Sequence, residues 1–103
     1  MNIPHVAQTL ALSAACLSLP ALAQAPADGG RLLASNCFQC HGTNGVKGGF
    51  DSLAGKSQKE LLDDLREMRV KAAGSNLMAP HARGYTNNDL YWIAYYFSKL
   101  PKP

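Results

Sequence analysis

The sequence predicts one small all-α domain, and three observations carry that prediction. No segment alternates apolar and polar residues with period two over the length of a strand. Two stretches, opened by Ser57 and Thr86, pair an N-cap residue with an acidic residue three positions on and then repeat apolar residues at helical spacing. The connections between elements are long and rich in glycine, which is unusual in so small a domain unless they wrap something.

The amino-terminal segment is read first, because it decides how much chain is left to fold. Thr9–Leu19 is an apolar run too short to span a bilayer. It ends at Pro20 and the small-x-small triplet Ala21-Leu22-Ala23. That pattern predicts a signal peptide over residues 1–23 with cleavage before Gln24, and therefore export to the periplasm. The opening Met1–His5 has no Lys or Arg, so a buried first helix and an uncleaved anchor stand as alternatives. Cys16 leaves with the segment, and Ser13 stands where a lipoprotein signal needs a bulky aliphatic residue. The remaining domain, residues 24–103, buries too little apolar surface to be stable without a staple, a metal or a cofactor. Its two cysteines, Cys37 and Cys40, are three positions apart, and a disulfide between them would restrain almost nothing.

Gln24–Ala27 reads as a short leader. Asp28 is placed to cap a first helix from Arg31 to Asn36, with Leu32 and Leu33 on its buried face. From Cys40 to Gly55 the chain is expected to loop, since Gly42, Asn44-Gly45 and Gly48-Gly49 interrupt any regular element. Ser57 and Glu60 form a capping box for a second helix. Leu61, Leu65, Met68 and Ala72 make its apolar stripe, and Gly74 ends it. Ser75–Pro80 reads as an extended loop. Thr86, with Asp89 at the third position, caps a last helix whose inner side is Leu90, Ile93, Ala94 and Phe97, and Pro101 stops the chain from continuing it. Gly29 or Gly30 would let the first helix approach the last closely.

The formal charge of +3 is too mild to indicate nucleic acid, and no basic block interleaved with aromatics occurs. Lys47, Lys56, Lys59 and Lys71 are candidates to steer acidic partners. The aromatic residues Tyr85, Tyr91, Trp92, Tyr95, Tyr96 and Phe97 are expected to be structural.

Chemistry enters with Cys37-Phe38-Gln39-Cys40-His41, the C-x-x-C-H motif of covalent haem attachment. Two thiols one helical turn apart face the same way and can each form a thioether to a vinyl group of one porphyrin. The histidine that follows is placed to reach the iron. A thioredoxin-type motif lacks its strand–helix context here. A zinc site would crowd His41 against Cys40. A simple disulfide leaves His41 without a role.

An electron-carrying iron favours an occupied sixth position. Met68, Met78, His81 and His5 are the candidates, but His5 leaves with the signal and Met68 belongs to a helix stripe. Met78 is preferred because irregular backbone can aim it at a metal without disturbing the core, and His81 in the same stretch is its rival. A thioether ligand favours the reduced iron and raises the potential.

These residues resemble the class I c-type cytochromes over essentially the whole of residues 24–103. The features shared are the glycine-bearing first helix, Cys37–Gly42, Leu53-Ala54-Gly55, Met78 before the last helix, and Ile93–Phe97. Within that group, Met78–Thr86 is similar to the cytochrome subunit of flavocytochrome c sulfide dehydrogenase. The resemblance implies an all-α cytochrome c-like domain with three main helices wrapped round one covalently bound haem c. It implies His41 as fifth ligand and Met78 as sixth. It implies redox protein partners, among them an FAD-containing sulfide dehydrogenase subunit that passes electrons to the haem. Two departures are visible: some members carry two haem domains where this chain has one, and Asp51 stands where the family often has a proline. In such proteins a carbonyl near that proline accepts the second N–H of the ligand histidine.

The function expected is single-electron transfer in the periplasm, with no catalysis by the protein itself. Two alternatives stay open: a free-standing carrier that delivers electrons to a terminal oxidase, and a haem sensor or peroxidase-like protein with a labile sixth ligand.

Overall fold

Asp28 sets the start of the fold with its side chain. Its two carboxylate oxygens accept from the backbone N–H groups of Gly30 at 3.0 Å and Leu32 at 2.6 Å, satisfying donors that the first helical turn leaves free. In the computed structural model, which describes residues 25–72 and 74–103 together with Asn2, the chain from there is helical with no strand among the described residues. The expected signal peptide over residues 1–23, with His5 and Cys16, lies outside the described residues.

Helix α1 is Arg31–Ala34, a 3-10 turn follows over Ser35–Cys37, and α2 is Phe38–His41, so the three form one nearly continuous helical run. This run extends past the expected end at Asn36, and its inward residue differs from expectation too. Ala34 is fully buried and Leu33 packs on the core, whereas Leu32 is 76 % exposed. Gly42, at φ 83°, ends the run.

Helix α3 spans Gln58–Val70, and the Ser57 hydroxyl accepts from the Glu60 N–H as expected of its cap. It stops four residues before Gly74, because Lys71 is already extended at ψ 150°. Ala72 is exposed and does not join the stripe of Leu61, Leu65 and Met68.

The segment expected to be an extended loop holds a further helix, α4, Met78–Arg83. The asparagine that suggested a loop starts it instead: the Asn76 side-chain oxygen accepts from the Met78 N–H at 2.7 Å. Pro80 falls within the first turn, where its missing N–H would have had no intrahelical partner. Helix α5, Asn87–Ser98, opens on a complete capping box in which Thr86 and Asp89 each satisfy the other's backbone N–H.

Helix α3 packs on both α4 and α5, and α1 packs on α5. The close approach of α1 to α5 is built on Gly30. A Cβ there would lie 2.4 Å from the Trp92 carbonyl oxygen, and φ at this residue is +94°. Leu90, Ile93, Ala94 and Phe97 are buried, as their spacing predicts, and Leu61 and Ala34 join Ile93, Ala94 and Phe97 in one cluster.

Candidate haem crevice

Cys37 ends the 3-10 turn and Cys40 lies on α2 three positions later, so both thiols project from one helical turn. Cys37 is half-buried and Cys40 exposed. Burial, with the neighbouring Cys40 adding to it, pushes the Cys37 thiol up to about 11. Its sulfur therefore keeps its proton at neutral pH.

His41 closes α2, and its ring is held from the loop that follows. Nδ1 lies 2.6 Å from the Asp51 carbonyl oxygen. A carbonyl only accepts, so Nδ1 carries the proton and Nε2 keeps its lone pair for a metal. The carbonyl plays its part without the proline that the family often has near this position. The loop is itself anchored: the Gly45 carbonyl accepts from the Leu53 N–H at 2.8 Å, and the Tyr96 hydroxyl donates to the Asn44 side-chain oxygen at 2.6 Å. Gly45 has φ +76°, and a Cβ on it would lie 2.8 Å from the Phe97 ring.

Two adjoining clefts open against this helical turn, with open volumes of about 500 and 620 Å³. Cys37, His41, Leu65, Met78 and Ile93 line both. Cys40, His81 and Tyr85 face the first; Met68, Leu53, Leu61 and Phe97 face the second. The structure thus brings all four expected site residues, Cys37, Cys40, His41 and Met78, to one crevice. It brings the rivals Met68 and His81 there too, each to one cleft only. Met78 reaches it from the first position of α4 and not, as expected, from irregular backbone.

Among the described residues no group of three or more His, Cys, Asp or Glu could hold a metal ion, and the Cys37 and Cys40 thiols are not joined to each other.

A family model described as Cytochrome c matches residues 26–100. The chain belongs to the cytochrome c family. As a cytochrome c it carries covalently bound haem c and transfers electrons; it is not an enzyme in its own right. It is 33% identical over 84 residues to the cytochrome subunit of sulfide dehydrogenase from Chlorobaculum tepidum, an alignment covering 81% of this chain and 76% of that relative.

The crevice fits such a group on the chemistry of its lining. A porphyrin is a flat apolar ring with two carboxylates. Leu53, Leu61, Leu65, Ile93 and Phe97 offer apolar walls, while the polar Asn36 and Gln39 edge one cleft and Lys56 the other.

Tyr85, read from the sequence only as a structural aromatic, has a hydroxyl that accepts from Asn36 at 2.7 Å and donates to the Leu33 carbonyl at 3.3 Å, tying α1 to the start of α5 beside the crevice. The lysines expected to steer partners divide. Lys59 is paired with Asp63 at 2.5 Å and Lys71 with Glu67 at 3.4 Å, so their charges are offset locally. Lys56 alone of the four lines a cleft. Among the described residues no helix is long and apolar enough to cross a membrane.

Proposed function

We propose that this cytochrome is a periplasmic carrier of one haem, exported by a signal peptide over residues 1–23, that accepts single electrons from an FAD-containing sulfide dehydrogenase subunit. Cys37 and Cys40 are the thioether attachment points, His41 the fifth ligand and Met78 the sixth. The observation that supports this most directly is the sharing of Cys37, His41 and Met78 by both clefts. The similarity to a sulfide dehydrogenase cytochrome subunit supports the choice of partner. When bound, the haem supplies the one-electron couple. The protein fixes its ligands, keeps water from it and tunes it: a His–Met pair raises the potential.

A second reading puts His81 at the sixth position, because it faces the first cleft one helical turn beyond Met78. Optical spectra of the holoprotein separate the two. Met78 ligation predicts a weak red-end band in the oxidised form that Met78→Ala abolishes and His81→Ala leaves in place. Wild-type holoprotein that lacks the band, with a low-spin spectrum that His81→Ala turns high-spin and Met78→Ala leaves unchanged, assigns the position to His81. The immobilised holoprotein, exposed to extract of the native host, is expected to retain a flavin-bearing subunit; retention of none overturns the choice of partner.

A further inference from the structure

The carboxyl end of α3 and the helix carrying Met78 are joined by one exposed side chain. Helix α3 ends with carbonyls that have no intrahelical partner, and the partial negative charge of the helix end is concentrated there. The Arg83 guanidinium meets that need from the last residue of α4. Its Nε donates to the Arg69 carbonyl at 3.2 Å, and its Nη2 donates to the Lys71 carbonyl. Arg83 and Lys71 are twelve positions apart, and Met78 lies between them. A single side chain therefore closes the loop that bears the sixth-ligand candidate.

We propose that Arg83 is a positioning residue for Met78: a latch that holds the amino end of α4 in the crevice by capping α3. The proposal rests on Met78 as sixth ligand. Closing the loop removes conformational freedom from the segment that must deliver the sulfur, so the ligand is presented rather than searched for. Two further contacts act in the same direction. Asn76 caps the Met78 N–H at the other end of the loop, and Ala79 and Ala82 are buried against the rest of the fold, leaving Arg83 as the tie on the solvent side. Without the latch, α4 keeps its apolar seat but the loop opens locally at lower cost than the whole domain.

The test compares two melting curves on the holoprotein, the red-end ligand band and the far-UV helix signal, for the wild type, Arg83→Ala, Arg83→Lys and the exposed control Arg66→Ala. In Arg83→Ala the band is expected to vanish at a temperature lower by about 5 °C or more, while the helix signal moves much less. Arg83→Lys keeps one donor and is expected to fall between; it replaces the alanine variant if that does not accumulate as holoprotein. Arg66→Ala should match the wild type. The latch is overturned if band and helix signal shift together, which marks a merely structural arginine, or if neither shifts. Met78→Ala is the control for the underlying reading. If it leaves the band intact, the ligand assignment fails; if it removes the band and Arg83→Ala does not destabilise it, only the latch fails.

Discussion

Tyr96 illustrates how much of this site rests on single hydrogen bonds far apart in sequence. Its hydroxyl donates to Asn44 in the loop after the C-x-x-C-H motif, and that loop is the one whose carbonyl orients His41. Tyr96→Phe removes the bond without changing the ring. The expected loss is about 1 kcal/mol of holoprotein stability by urea titration. An unchanged denaturation midpoint would show that the loop is held by its backbone bonds alone. Residue-scale features differ in how far they can be read from a sequence. Cys37, Cys40 and His41 are legible as candidates because covalent attachment demands a fixed spacing. The Asp51 carbonyl is not, since a backbone acceptor has no side-chain signature. Arg83 and Tyr85 act over long sequence separations, which local patterns do not record.

At the scale of elements, α5 and the start of α3 match expectation because caps and apolar spacing agree there. The end of α3 does not: Gly74 is a possible stop, but the chain leaves the helix at Lys71, where Arg83 supplies the cap from another element. Helix α4 was hidden by its composition, for Asn and Pro disfavour a helix interior yet suit its first turn. The approach of α1 to α5 is a sharper commitment than either helix alone. Gly30→Ala has to accommodate both a left-handed φ and a contact with the Trp92 carbonyl. The variant is expected to lose about 3 kcal/mol, from backbone strain and overpacking together. The check is urea denaturation of the holoprotein; a loss under about 1 kcal/mol would mean that the helices separate freely.

For the whole molecule, the core is thin. Five of the nine buried apolar residues among those described are alanines, and Phe97, Leu90 and Ile93 are the only large side chains fully enclosed among them. So small a core encloses little apolar surface, and a bound haem would add its own apolar ring against Leu53, Leu65 and Met78. Attachment and folding are therefore coupled. The double variant Cys37→Ala/Cys40→Ala, produced without haem, is expected to show the circular dichroism of a largely unfolded chain and no cooperative thermal transition. A cooperative melt near that of the holoprotein would show that the helices stand without the cofactor. Fold class was legible from patterning at this scale, because helix spacing survives without knowledge of what the helices enclose. The shape of the crevice was not, since it depends on five separate segments meeting.

The acceptor that orients His41 belongs to the main chain at Asp51. No point substitution deletes it, so exchanging the side chain there leaves the imidazole's partner in place. Its vulnerability lies in length. Removing or adding a residue between Gly42 and Asp51 would carry the carbonyl away from the ring and free the imidazole to turn. With His41 as the proposed fifth ligand, the electronic character it would lend the iron is set by the spacing of that stretch more than by its letters.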